Sequence, residues 1–197
     1  VRLMTIRNGL KNYRGQFITR SNSGINSLED LNGKIIAYTD AASTSGYVYP
    51  SAILKQKNIN PKSHTFVGSH PSAVIAVYNG NADAGCTYWS PPDNNGKPKD
   101  AREKLLTTYP DIFEKVKIVG YTDWIPNDTV TFRKNLPADL ERKVIKAIHD
   151  FSISEPGKTI LKGLYDIDGL DFASNSDYDV VRTTLKTLNM DPSQYLK

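Results

Sequence analysis

The 197-residue chain has a single cysteine, Cys86. One thiol excludes an internal disulfide framework and a multi-cysteine zinc site. There are three histidines, His64, His70 and His149, and none stands at metal-ligand spacing from another, so no metal is expected. No stretch approaches the roughly 18 to 20 consecutive apolar residues that cross a bilayer, and the first residues, VRLMTIRNGLKNYRG, lack the apolar core of a signal peptide. The formal charge is only +4, with basic residues scattered among acids, so no nucleic-acid footprint is present. The G-x-S-x-G, G-x-x-x-x-G-K-[ST] and G-x-G-x-x-G patterns are missing. Nucleophile-elbow, P-loop and dinucleotide readings therefore lose their main support, and no cofactor is expected. What remains is ordinary globular composition, 39% hydrophobic and 23% charged, in a chain long enough for one sizeable domain or two small ones.

Strand-like and helix-like segments alternate. YRGQFITR (13–20) reads as a strand; SLEDLNGK follows as a one-turn helix in which Ser27 caps and Asp30 answers, ended by Gly33. KIIAYTD is an apolar run of strand length, and YVYPSAILKQKN after it has helical spacing. Pro50 sits at the edge of that helix's first turn, where a missing N–H predicts distortion. SHTFVGS (strand), HPSAVIAVYNG (helix from Ser69 or His70, with Pro71 at its first position) and ADAGCTYW (buried strand) repeat the pattern. DAREKLLTTYPDIFEKV reads as helical with a break at Pro110, VKIVGYT and WIPNDTVTFRKNL as strands, and PADLERKVIKAIHDFS as an amphipathic helix. Further helices are expected near 155–164 and 176–189. The alternation predicts parallel α/β architecture.

The stretch DAASTSGYVYP, Asp40 to Pro50, carries the clearest chemistry. At the carboxyl end of a parallel strand and the start of a helix, the N–H groups and hydroxyls of Ser43, Thr44, Ser45 and Gly46 converge on a point suited to an oxyanion. Alternatively, Thr44 or Ser45 only caps the helix. His70 opens the next helix at the same end of the sheet and is a candidate donor to the same anion; the alternative is a solvent-facing helix start. Tyr88 and Trp89 end a buried strand at that edge and are suited to wall a pocket, or simply to pack. Asp128, in the turn IPNDT, is placed to accept from a protonated ligand oxygen or an ammonium group. A Ser45–His70–Asp128 triad is conceivable but has no oxyanion motif behind it.

SLEDLNGKIIAYTDAASTSGYVYP, GSHPSAVIAVYNGNADAG and IPNDTVTFRKNLP together resemble the phosphonate, phosphite and phosphate substrate-binding proteins of ABC transporters, over roughly residues 13 to 155. The resemblance implies a type II periplasmic-binding-protein fold: two α/β lobes joined by two crossover strands, with ligand in the cleft. On this reading residues 1–20 are a hinge strand and remnant of the first lobe. Residues 21–122 form the second lobe with the anion-binding turn, and residues 123–197 form the return crossover and the C-terminal part of the first lobe. Family members carry a further α/β segment before the equivalent of Val1, so the first lobe is expected to be incomplete. Phosphoryl oxygens would be held by Ser43, Thr44, Ser45 and His70, with Asp128 facing in. Aminophosphonate binders have a Glu where this chain has Ser90, which favours a compact oxyanion such as phosphate, phosphite or methylphosphonate, unless Asp93 fills in after a loop shift. The implied protein is no enzyme. It is a monomeric, extracytoplasmic solute-binding component, lipid-anchored through an absent N-terminal segment, and its partner is a membrane permease. The alternative readings are a ligand-sensing domain of a receptor or regulator with the same fold, and a phosphate-ester hydrolase with Ser45 as nucleophile.

Overall fold

The computed structural model describes residues 1–191. In chain order the elements are β1 (Leu3–Ile6), β2 (Asn12–Arg20), β3 (Ile35–Tyr38), α1 (Tyr49–Gln56), β4 (Ser63–Phe66), α2 (His70–Tyr78), β5 (Ala84–Ser90) and β6 (Lys99–Asp100). They continue with α3 (Ile112–Lys115), β7 (Val116–Pro126), β8 (Thr129–Val130), α4 (Ala138–Ile153), α5 (Glu155–Tyr165), β9 (Gly169–Phe172) and α6 (Asp179–Thr187). The chain divides into two compact units. One holds Val1–Tyr13 and Pro126–Val180; the other holds Arg14–Ile125 and the segment from Val181. Strands β2 and β7 and helix α6 each pass from one unit into the other. The crossings fall at 13/14, 125/126 and 180/181, where the sequence reading had boundaries at 20/21 and 122/123 and kept 123–197 in one segment, the last six residues of which lie outside the described residues.

The larger unit is built on a six-stranded mixed sheet, ordered β4-β3-β5-β2-β7 with β6 added to β5. β3 runs parallel to both β4 and β5, while β2 lies antiparallel to β5 from Arg14↔Trp89 to Thr19↔Ala84. Successive side chains of a strand face opposite ways, so the complete burial of both Phe17 and Ile18 means that this sheet is covered on both faces. Phe17 joins Leu31, Ile36, Leu54 and Cys86 on one side; Ile18 joins Val74, Val77, Ile112 and Val116 on the other. Each such side chain contributes roughly 1.5–3 kcal/mol of burial free energy. Strand β4, at the sheet edge, is exposed along its length.

Several local expectations change. The Glu29–Leu31 turn has no Ser27 hydroxyl cap, while Asp30 answers as expected: its carboxylate accepts from the backbone N–H groups of Asn26 (2.8 Å) and Ser27 (3.0 Å). The segment before β7 read as helical with a break at Pro110 does break there, but holds only a 3-10 turn at Glu103–Leu105 and the four-residue α3. Pro110 leaves two pieces, each too short to sustain a helix by itself, and Lys99–Asp100 are drawn into strand β6 instead. β7 runs on through Trp124 to Pro126, so the strand expected to begin at Trp124 is reduced to Thr129–Val130. Strand β9 falls inside a stretch read as a connection.

The smaller unit carries a three-stranded sheet ordered β8-β1-β9, antiparallel throughout. Asn127 ties it together by donating from Nδ2 to the carbonyls of Thr5 (3.1 Å) and Leu10 (2.8 Å), and its own carbonyl accepts from the Tyr178 hydroxyl (2.8 Å). Leu3, Met4 and Ile167 are buried, yet many large apolar side chains are not: Phe151, Ile153, Ile160, Leu164, Tyr165 and Phe172 are all exposed, Leu164 by 70%. The apolar stripes of α4 and α5 therefore cover little protein among the described residues.

Candidate functional site

The turn after β3 is built by a tight backbone approach. Thr39 follows the strand, and the chain then enters a π-helical turn, Thr44–Val48, that runs directly into α1 with Pro50 in its first turn. Pro50 lacks an N–H, and the wide turn ahead of it is the distortion its position foretold. Ser43, not Thr44 or Ser45, is the cap: its Oγ accepts from the Gly46 N–H at 3.1 Å, and its carbonyl accepts from the N–H groups of Tyr47 and Val48, both at 3.0 Å. The first N–H groups of a helix have no acceptor within it. With Gly46 and Tyr47 satisfied by Ser43, those of Thr44 and Ser45 remain, and they make no hydrogen bond among the described residues. The hydroxyls of Thr44 and Ser45 make none there either, although Ser45 is only 3% exposed. A capping serine and a set of uncommitted donors thus coexist in the one turn.

Two neighbours complete this edge of the sheet. Thr39 is 1% exposed, and its Oγ1 is buried without a hydrogen-bond partner among the described residues. A Cβ on Gly46 would fall well inside contact distance of that Oγ1 and 2.7 Å from Ser43 Oγ, so only glycine lets the turn close over Thr39. The Thr39 carbonyl also accepts from the Gly68 N–H at 2.7 Å, which binds the loop carrying Ser69 and His70 to the hydroxyl turn. Ser69 caps α2 by accepting from the Ser72 N–H at 3.2 Å. The His70 ring packs edge-on against Tyr88, centroids 5.0 Å apart, with Nδ1 buried and unpartnered among the described residues. Burial pushes its pKa down to about 4, with the Asp40 charge opposing and Lys104 adding to the depression. His70 is therefore neutral near pH 7, able to donate one N–H and accept at its other nitrogen.

On the far side of β5, Trp89 meets Tyr121 (4.8 Å) and Trp124 (6.4 Å). Trp89 is held from behind by β6, whose Asp100 stands opposite it and is buried in a two-pronged pair with Arg102 (3.0 and 2.8 Å); Arg102 also donates to the Val116 carbonyl at 2.7 Å. Ser90 pairs with Lys99 in the same ladder. Asp93 does not stand in for a carboxylate at Ser90: its Oδ1 accepts from the N–H groups of Asn95 (2.9 Å) and Lys97 (3.0 Å) within its own loop.

Asp128 belongs to the smaller unit, where its carboxylate is paired with the Arg7 guanidinium at 2.7 Å. Ser43, Thr44, Ser45, His70, Tyr88, Trp89 and Ser90 all belong to the larger unit, at the carboxyl ends of β3 and β5 or the start of α2. No carboxylate orients His70 Nδ1 among the described residues, so the relay that a Ser45 nucleophile requires is not assembled. Thr39 and Arg7 were not singled out from the sequence. Only the glycine in STSG hinted at a close approach.

The sequence profile of the family described as "ABC transporter, phosphonate, periplasmic substrate-binding protein" matches residues 2–178. The chain belongs to this family. Among curated relatives, the "Phosphonates-binding periplasmic protein" of Escherichia coli is 27% identical over 180 residues, covering 88% of this chain and 49% of that protein. The "Phosphate-import protein PhnD" of Mycolicibacterium smegmatis is 32% identical over 91 residues, 41% of this chain and 28% of that protein. The chain thus spans about half or less of the length of these relatives. Among solved structures, the binding-protein component of an ABC phosphonate transporter from Pseudomonas aeruginosa superposes with a TM-score of 0.73 at 21% identity, covering 95% of this chain and 62% of that one. A Prochlorococcus marinus protein in complex with methylphosphonate gives 0.68 at 19% identity, covering 96% and 72%. These likenesses show the type II periplasmic-binding-protein fold. The phosphonate-binding family is one of transport proteins rather than of enzymes.

Proposed function

We propose that this chain serves as the solute-binding part of an ABC importer and captures a compact phosphorus oxyanion, phosphate, phosphite or a small phosphonate, at the hydroxyl turn of its larger unit. The observation that carries this reading is the unused donor set: the N–H groups of Thr44 and Ser45 and their hydroxyls, gathered at a helix start. Neutral His70 beside Tyr88 adds one more donor without a charge that would hold any anion indiscriminately. The reading agrees with the names of the family and of its relatives, which concern phosphonate and phosphate. No bond is made or broken in this role. Outside the cytoplasmic membrane, the loaded protein would hand the ion to a permease.

Ligand choice follows from the pocket's hydrogen-bond chemistry. At Ser90, where aminophosphonate binders carry Glu, this chain places a hydroxyl paired in the ladder with Lys99, and Asp93 is spent on its own loop. An ammonium group would find no carboxylate there, so aminoethylphosphonate is expected to bind more weakly than methylphosphonate. Titration calorimetry with phosphate, phosphite, methylphosphonate, aminoethylphosphonate and sulfate tests the assignment. Binding of a phosphorus oxyanion that Ser45→Ala weakens about 10-fold or more supports it. Turnover of a phosphate ester, or tighter binding of sulfate than of every phosphorus anion, refutes it.

A further inference from the structure

Lys104 brings a positive charge to the residues around the hydroxyl turn. It is exposed, in the 3-10 turn Glu103–Leu105. The carboxylate beside it in the chain, Glu103, is already shared by Lys97 (2.7 Å) and Lys99 (3.3 Å), and the Lys104 ammonium makes no hydrogen bond or ion pair among the described residues. What it does meet is the Tyr88 ring, with Nζ 5.9 Å from the centroid. That is the outer reach of a cation–π contact, and it leaves the three N–H donors to solvent or to a ligand.

Tyr88 connects this lysine to the turn. Strand β3 pairs with β5 only at Ile36↔Ala84 and Ala37↔Gly85, so Tyr88 borders the space beyond the end of β3, and β5 packs against the hydroxyl turn that fills it. Across the β2 ladder Tyr88 stands opposite Gly15, where a Cβ would lie 2.8 Å from the Ser45 carbonyl oxygen. Residues opposite each other project on the same side of a sheet, so the Tyr88 side chain leaves β5 beside Ser45. Its ring then reaches His70, centroids 5.0 Å apart. The Lys104 charge is felt at His70, and there it acts against the Asp40 carboxylate. Asp40 accepts from the Ala42 N–H at 2.9 Å and has no cationic partner among the described residues. His70 therefore faces one charge of each sign, and without Lys104 an entering anion would meet the carboxylate alone.

We infer that Lys104 is the charge-selecting residue of the oxyanion site, favouring doubly charged phosphorus anions over singly charged ones. This rests on the hydroxyl turn holding the anion. The Coulomb energy of a cation with a ligand scales with the ligand's charge, so the ammonium is worth twice as much to a dianion as to a monoanion. Such an attraction needs no fixed contact geometry, which suits a long exposed side chain, and it raises the concentration of anions at the pocket before they bind.

Calorimetric titration at about pH 8, above the second ionisation of a phosphoryl group, tests this with phosphite, phosphate and methylphosphonate as dianions and hypophosphite as a monoanion of the same element. Lys104→Gln should weaken hypophosphite about 3-fold, within the range of an exposed ion pair. Each dianion that binds should weaken by the square of that, about 10-fold. Lys104→Arg, which keeps the charge, should bind like the unaltered chain. So should Lys62→Gln, which alters an exposed lysine at the opposite end of β4 from the His70 loop. In about 1 M salt, where the screening length is about 3 Å, Lys104→Gln and the unaltered chain should bind alike. Should hypophosphite bind too weakly to titrate, that salt comparison on the dianions decides. No loss in Lys104→Gln, equal losses for monoanion and dianion, a loss that persists in high salt, or the same loss in Lys62→Gln overturns the role of Lys104 and leaves the oxyanion turn standing. Binding of none of the four ions overturns the reading of the turn itself, and the role of Lys104 with it.

Discussion

Replacing Gly46 by alanine is the sharpest probe of the hydroxyl turn. The added methyl would sit well inside contact distance of Thr39 Oγ1 and 2.7 Å from both Thr39 Cγ2 and Ser43 Oγ. None of these is the far end of a flexible side chain. Thr39 is β-branched and 1% exposed, and Ser43 Oγ is held by the Gly46 N–H. Something in the backbone must move, which places the substitution at the upper end of overpacking costs, about 3 kcal/mol. For a chain of this length, that lowers the melting temperature by about 6–12 °C. Thr39→Ala removes two of the three clashes along with a buried hydroxyl that has no partner among the described residues. The double variant should therefore be more stable than the sum of the single changes allows, by about 1–2 kcal/mol. Denaturant unfolding of the four proteins, followed by tryptophan fluorescence, closes the cycle. Strict additivity would refute the steric account, because Gly46 would then be needed for some reason other than its closeness to Thr39.

Stability should also depend on pH through His70. Its folded pKa, about 4, lies below the ordinary value of 6.5, so the unfolded chain binds more protons between those values. The contribution is fully present above pH 6.5 and is lost as pH falls toward 4, up to about 3 kcal/mol. Urea melts at pH 7.5 and 4.5 should show that loss in the unaltered chain and much less of it in His70→Gln; equal losses in both would be contrary. Arg102→Met leaves Asp100, 1% exposed, as an unpaired buried carboxylate and should cost about 3–5 kcal/mol, whereas Asp100→Asn combined with Arg102→Met should cost less, as measured by chemical denaturation. Leu164→Ser, at 70% exposure, should change stability by less than about 0.5 kcal/mol, while the fully buried Leu31→Ala should cost about 2–5 kcal/mol; thermal melts distinguish the two.

Much of this could be read without coordinates. Periodicity placed β2, β3, β5, α2, α4 and α5 within a few residues, because each carries its own apolar pattern and its own stop signal, such as Gly33 after Leu31 or Pro71 at the start of α2. Pro50 announced a distorted first turn for the reason the π-helical turn displays. The break expected at Pro110 is there, but the helical pieces on either side shrank because each is too short to persist alone and the sheet drew Lys99 and Asp100 into β6. Of the capping box read at Ser27 and Asp30, the Asp30 half forms, its carboxylate accepting from the Asn26 and Ser27 N–H groups, and the Ser27 hydroxyl half does not.

The sequence alone determined the α/β class, the family, and the clustering of hydroxyls ahead of a glycine, because these depend on residue types a few positions apart. Tertiary structure decided which of those hydroxyls caps the helix and which are left to donate. It also set the protonation of His70, through burial against Tyr88. Likewise it brought Thr39 against Gly46, Gly15 against Ser45, and Arg14 onto Trp124. All but the first of those contacts join segments far apart in the chain, and no local pattern of residues encodes a distance between them.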